Sequence, residues 1–274
     1  MGISMTLLEI KHLNIEFHDH LIPETVVFDL NLQMEEGEIV GIVGESGSGK
    51  TMTALAVAGL LPRHGMKKTG EILFDSRNLL FCDRKVLRTY QGREIAMVFQ
   101  EPMTSLNPVK KIGWQVEESL KIHTDLSEEE RYSRVVQVLQ DVELKNPEEI
   151  YHKYPHELSG GMRQRVMIAA AIVCNPRLLI ADEITTALDV TIQDQIIKLL
   201  LKINKATKMG ILFISHDLSL IKRICNRVAV MKDGYLVEEG LTDQIYQNPI
   251  QEYTKRLIAA VPKCEKISLE EEEV

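Results

Sequence analysis

The sequence predicts an α/β protein built on a parallel sheet, with a block of helices inserted into it. Three observations carry that expectation. First, four short and nearly continuous apolar runs occur: Glu38-Ile39-Val40-Gly41-Ile42-Val43-Gly44, Ile95-Ala96-Met97-Val98-Phe99, Leu178-Leu179-Ile180-Ala181 and Ile211-Leu212-Phe213-Ile214. Strands buried on both faces of a parallel sheet have this texture, and the helical patterns between them suit crossover connections. Second, a glycine-rich loop follows the first run and opens a helical pattern over residues 52–61. Third, between residues 101 and 158 no such run appears and helical spacing takes over.

The elements follow in order. Leu8-Glu9-Ile10-Lys11 and Leu30-Asn31-Leu32-Gln33-Met34 alternate apolar and polar residues, so residues 6–40 read as half-buried strands leading into the first buried run. In the middle region, residues 114–122, 127–139 and 148–154 read as helices. Ser127 followed by Glu130 is a capping-box signal. Val135, Val138, Leu139 and Val142 recur at helical spacing. The insertion is entered through Glu101-Pro102 and left near Pro155. Residues 228–237 read as a hairpin turned by Asp233-Gly234. Glu270 to Glu273 form an acidic run, expected to be a solvated tail.

Composition bounds the function. The chain has 274 residues, 45% hydrophobic and 26% charged, the balance of a soluble globular protein with ample core. Thirty-two Lys plus Arg face 40 Asp plus Glu, for a net charge of −8. That disfavours a broad basic surface for coating nucleic acid. The longest apolar stretch runs from Met167 to Cys174, far short of a bilayer span. Residues 1–5 lack the basic-then-apolar layout of a secretory signal, and a cytosolic chain is expected. Cys82, Cys174, Cys225 and Cys264 are scattered, as reduced thiols are. Pro155 lies between His152 and His156 and breaks the helix that a metal-binding pair would need.

Gly44-Glu45-Ser46-Gly47-Ser48-Gly49-Lys50-Thr51 fits the phosphate-loop pattern, in the strand–loop–helix setting that gives the pattern meaning. Its glycines let successive N–H groups turn inward on a polyphosphate, and the helix N-terminus adds partial positive charge. Lys50 supplies a full charge to the β- and γ-phosphates, and Thr51 offers a hydroxyl to Mg2+. A carboxylate is needed on a neighbouring strand. Asp182 and Glu183 supply it, directly after four apolar residues. Asp182 is expected to hold the metal and Glu183 to polarise the attacking water as general base. Leu158-Ser159-Gly160-Gly161-Met162-Arg163-Gln164-Arg165 is a second capped helix N-terminus suited to an anion. One Lys-bearing loop plus a second anion-seeking helix suggests two chains sharing nucleotides.

With these residues in place, the sequence resembles the ABC ATPase domains. The phosphate loop, the Ser159-Gly160-Gly161 signature, the Asp182-Glu183 strand end and Ser215-His216-Asp217 occur in that family's order. Gln100 stands where the family has its Q-loop, Ala187-Leu188-Asp189 looks like its D-loop, and Phe17 stands where an aromatic stacks on adenine. The wording of Phe99 to Pro108, and Asn248-Pro249 followed by Tyr253-Thr254, is similar to the peptide/nickel importer branch. The resemblance implies a P-loop NTPase core with a parallel sheet, an N-terminal antiparallel β subdomain and an inserted α-helical subdomain. The ATPase domain would span 6–262, with nucleotide-binding core 1–100 and 166–240, helical subdomain 101–165, and a C-terminal extension over 241–274. It implies ATP and Mg2+ as ligands, with Thr51, Gln100 and Asp182 at the metal.

It further implies that His216 holds the γ-phosphate and the attacking water, and that Gln100 senses nucleotide and passes motion to the helical insertion. Each ATP would lie between the phosphate loop of one chain and residues 159–161 of another. Expected partners are two membrane-spanning permease subunits, a second and similar ATPase (a heterodimer rather than a homodimer) and, indirectly, an extracytoplasmic solute-binding protein. The location would be the cytoplasmic face of a prokaryotic membrane. The short tail with only Cys264 leans toward a nickel-type importer over a peptide importer. A non-transport ABC ATPase acting on nucleic acid or ribosomes is the alternative, and no coiled coil or basic arm in the sequence speaks for it. Position 184 is Ile where the family usually places Pro, which is expected to loosen the stretch to Asp189 while activity survives.

Overall fold

The structure is a computed structural model that describes residues 6–18, 23–62, 65–99, 105–185 and 189–260. The strands are β1 (Thr6–Phe17), β2 (Glu24–Glu35), β3 (Ile39–Val43), β4 (Met66–Phe74), β5 (Arg77–Asn78), β6 (Ile95–Val98), β7 (Leu178–Asp182), β8 (Gly210–Ile214), β9 (Arg227–Lys232) and β10 (Tyr235–Leu241). They form one sheet in the order β5-β4-β1-β2-β10-β9-β3-β8-β7-β6. The stretch β9-β3-β8-β7-β6 is parallel throughout. β5, β4, β1 and β2 pair antiparallel, and β2 meets β10 in parallel at the single pairing Tyr235 with Phe28.

The four apolar runs form the parallel strands β3, β8, β7 and, at the sheet edge, β6, and their continuity has a packing cause. Alternate residues serve two different cores. On β8, Ile211 and Phe213 join one cluster, and Leu212 and Ile214 join the other. β7 divides the same way, with Leu179 and Ala181 on one face and Leu178 and Ile180 on the other. With both faces covered, no position is left for a polar residue until Asp182 closes β7.

The antiparallel unit exceeds what the sequence pattern shows. β1 and β2 are each 12 residues long, with register shifts, and their alternation breaks wherever a bulge re-aims the chain. β4 reads MKKTGEILF and buries only its last residues fully, so its pattern is too polar to announce a strand.

The helices are α1 (Lys50–Val57), α2 (Arg84–Tyr90), α3 (Ile112–His123), α4 (Glu128–Asp141), α5 (Pro147–His152), α6 (Gly160–Ile172), α7 (Val190–Thr207), α8 (Leu218–Ile224), α9 (Thr242–Gln247) and α10 (Glu252–Ala259). α3 to α6 lie between β6 and β7 and pack on one another. The Ser127 and Glu130 capping box forms in both directions at the start of α4. Glu117 ties this block together: its buried carboxylate accepts from Arg131 Nε at 2.6 Å and from the Tyr151 hydroxyl at 3.3 Å, with Lys121 Nζ at 3.1 Å. Burial works against that charge, but the Arg131 and Lys121 hydrogen bonds prevail and hold it below the usual carboxylate range. Among the described residues, no helix is long and apolar enough to cross a membrane.

Candidate nucleotide site

The phosphate loop leaves β3 at Val43 and enters α1 at Lys50. Its path needs glycine. Gly44 and Gly49 have φ of +155° and +95°. A Cβ on Gly44 would stand 2.1 Å from the Met231 carbonyl oxygen, and one on Gly49 would stand 2.6 Å from that of Val26. Any side chain at either point collides with the backbone of a neighbouring strand. The loop curls around the Lys50 ammonium, which donates to Gly44 O at 2.9 Å and Glu45 O at 2.7 Å. Burial pulls that ammonium below its ordinary value, while Glu183 and Asp182 oppose the shift.

β7 lies one strand from β3, separated by β8, so Asp182 at its C-terminal end faces the loop. Thr51 Oγ1 donates to Asp182 Oδ1 at 3.5 Å. Asp182 is only 5% exposed, and burial raises its carboxyl above the usual range, with Glu183 adding to the rise. Glu183 follows in a left-handed conformation, φ +49°, a posture that costs a non-glycine residue about 1–2 kcal/mol. Its N–H donates to Ile214 O on β8 at 2.9 Å, and its Oε1 lies 3.3 Å from His216 Nδ1. Strain of this kind collects at functional sites, where the surrounding structure holds it. Asp217 caps α8 just beyond, accepting from Ser219 N–H at 2.8 Å, which fixes the turn that carries His216.

A cavity of about 390 Å3 opens over the loop. Residues 46–52 and Glu183 line it, together with Glu24 and Val26. The structure therefore brings the loop, Thr51, Asp182, Glu183 and His216 into one neighbourhood. Other expected residues lie apart from it. Ser159, Gly160 and Gly161 begin α6 and are not in that lining; Ser159 caps the helix by accepting from Met162 N–H at 3.3 Å. Phe17 ends β1 opposite Glu24 but does not itself line the cavity. Gln100, Ala187 and Leu188 lie outside the described residues, as do Cys264 and the acidic run. Ile184 is 1% exposed and packs in the larger core, while residues 186–188 of the stretch it was expected to loosen lie outside the described residues. A separate cavity of about 820 Å3 is lined by Arg134, Ile172, Arg177, Ile203 and Met209 among others and holds none of these residues.

Two contributors escape sequence reasoning. Glu24 and Val26 come from β2, which carries no motif. Met231, Gly234 and Tyr253 buttress the loop from far along the chain. The Asp233-Gly234 turn and Tyr253-Thr254 are visible in the sequence, but nothing there says what they touch.

Loop, helix N-terminus and two consecutive carboxylates at the C-terminal end of a nearby parallel strand define a phosphate-loop nucleotide hydrolase. The chain belongs to the ABC transporter family, whose model matches residues 27–186. It is 44% identical over 259 residues to the dipeptide transport ATP-binding protein DppD of Haemophilus influenzae, covering 94% of this chain and 78% of that one. It is 45% identical over 266 residues to the oligopeptide transport ATP-binding protein OppD of Bacillus subtilis, covering 97% and 74%. Among solved structures it is similar to a dimeric post-hydrolysis state of the ATP-binding cassette MJ0796 bound to ADP and Pi. There the TM-score is 0.76 and the identity 29%, over 86% of this chain and 98% of that one. The fold is the ABC ATPase cassette, and the chain is an ABC-type ATPase coupled to transport.

Proposed function

We propose that this chain is the ATP-hydrolysing subunit of a peptide importer. Supporting the cargo class are its relatives, which carry dipeptide and oligopeptide transport in their names. This favours peptide over nickel, so the lean toward nickel from the short tail is set aside. The observation that carries the chemistry is a buried Lys50 and a strained Glu183 lining one cavity of about 390 Å3, with a buried Asp182 hydrogen-bonded to Thr51 of that lining.

The residues present suit Mg2+. A hydroxyl and a carboxylate, both hard oxygen donors, already face each other at 3.5 Å, and Mg2+ takes its remaining ligands from phosphate and water. Thr51 and Asp182 would hold it, with Gln100 as a further ligand. When bound, the ion neutralises charge developing on the phosphates. Lys50 meets the β- and γ-phosphates from the loop side. Glu183 takes a proton from the attacking water, and His216, in contact with Glu183, holds that water and the γ-phosphate. Residues 159–161 act on the nucleotide of a second ATPase chain, a reading supported by their absence from the lining of this chain's own cavity. Helices α3 to α5 and the first turns of α6 form the helical subdomain that meets two membrane-spanning permease subunits at the cytoplasmic face, and an extracytoplasmic solute-binding protein delivers the cargo. The core, helical and C-terminal portions divide as 1–100 with 166–240, 101–165, and 241–274.

The test uses the assembled importer in vesicles. Glu183→Gln should keep ATP binding and nearly abolish both turnover and uptake of a labelled peptide. Undiminished turnover in that variant shows that the base is misassigned. ATP-driven uptake of Ni2+ without peptide would reverse the cargo assignment.

A further inference from the structure

We propose that Tyr253 is a positioning residue for the phosphate loop, and that the C-terminal helix α10 braces the nucleotide site. The inference rests on the reading of that loop as the ATP site. The loop is conformationally soft, with φ of +155°, +79° and +95° at Gly44, Gly47 and Gly49. Glycine there permits the curled path but does not enforce it. Enforcement comes from contacts. Lys50 holds the loop from within, through Gly44 O and Glu45 O. Those contacts compete with phosphate for the same ammonium.

Two further hydrogen bonds hold the loop from without, and both come from the last part of the chain. Gly234 N–H, in the β9–β10 turn, donates to Ser48 O at 3.3 Å. Glu45 N–H donates to the Tyr253 hydroxyl at 3.1 Å. Tyr253 does not line the cavity, so its bond does not compete with the nucleotide. Glu45 is therefore fixed at both backbone groups, its N–H by Tyr253 and its C=O by Lys50 at 2.7 Å.

The helix that carries Tyr253 is itself seated. The Glu238 carboxylate, 8% exposed, accepts from Ile250 N–H at 2.7 Å and Gln251 N–H at 3.0 Å, just ahead of α10. Thr254, next to Tyr253, is fully buried. Lys232 Nζ stands 5.2 Å from the Tyr253 ring centroid and limits where the ring can go. A sheet-end carboxylate thus anchors a helix, the helix aims a phenol, and the phenol sets the first turn of the loop. The carboxylate, the helix and the phenol lie beyond the matched family region, which ends at residue 186.

The test compares two variants of the full chain. Tyr253→Phe removes one hydroxyl and keeps the ring, and Ile150→Val thins the buried packing of α5, away from the loop, while leaving α10 and its contacts unchanged. Affinity for ATP with Mg2+ is measured by calorimetric titration, and nucleotide-free Tm by scanning fluorimetry. Loss of one positioning hydrogen bond should raise the ATP Kd of Tyr253→Phe about three- to ten-fold. Ile150→Val should stay within about two-fold of the parent even where its Tm falls as far or further. An unchanged Kd in Tyr253→Phe overturns the proposal. So does equal weakening in both variants, which assigns the effect to packing alone. Failure of the parent chain to bind ATP would instead strike the functional reading beneath it.

Discussion

Gly160 gives the sharpest separation of what this chain needs from what a partner needs. It is exposed at the first position of α6, and a Cβ added there would meet nothing within 4 Å. Its φ is not among the positive ones. The neighbouring Gly161 differs, since a Cβ there would come within 3.1 Å of two Ile192 carbons. Nothing in the chain itself therefore asks for glycine at 160. Gly160→Ala should gain helix propensity, at most about 0.5–1 kcal/mol, and raise Tm by about 1–4 °C. Yet if the α6 N-terminus of one chain closes over the ATP of another, the added methyl keeps its N–H groups from the γ-phosphate. Loss of such preorganised donors costs about 100- to 1,000-fold in turnover. The assay pairs scanning fluorimetry of the isolated chain with ATP turnover of the assembled importer. A variant that turns over ATP within two-fold of the parent refutes the shared-nucleotide reasoning. A fall in Tm of several degrees refutes the claim that this chain has no use for the glycine.

Other outcomes follow from the same geometry. Lys50→Ala should weaken ATP binding about a hundredfold, the loss of roughly 3 kcal/mol of charge-assisted contact, as read by calorimetry. Asp182→Asn should raise nucleotide-free Tm at neutral pH by about 2–4 °C while weakening Mg2+-dependent ATP binding. The sign comes from burial: the folded chain holds the Asp182 proton more tightly than the unfolded one, so its carboxylate costs stability as pH rises through the carboxylate range. Glu117→Gln should destabilise the helical block by about 1–3 kcal/mol in denaturant titration at pH 7. Here the folded carboxyl is depressed, so its contribution is present above the unfolded value and is lost as pH falls; the gap between variant and parent should close in acid.

What the sequence announces and what it conceals divide along physical lines. The central strands are legible because both faces are buried and every position is apolar, as in Leu178-Leu179-Ile180-Ala181. The loop is legible because its chemistry is local: eight consecutive residues contain the glycines, the lysine and the hydroxyl. Asp182 and Glu183 are legible as acids ending an apolar run, but the left-handed turn at Glu183 is not, because no glycine or asparagine marks it. β4 is concealed by its lysines and by a glycine whose φ is +97°. Long-range support is concealed altogether. Glu45 and Tyr253 lie 208 residues apart, and only the folded sheet brings α10 to the loop. Ile184 is legible in the sequence only as a departure from a pattern; that its side chain is a core residue is seen only in the fold.

The central claim is that ATP is held between the phosphate loop of one chain and residues 159–161 of another. The most direct measurement is an experimental structure of the assembled importer carrying Glu183→Gln, prepared with ATP and Mg2+. The account predicts a triphosphate touching Lys50 on one side and the partner subunit's α6 N-terminus on the other. A triphosphate bound by the loop alone, with the facing helix withdrawn, or no nucleotide there at all, would contradict it.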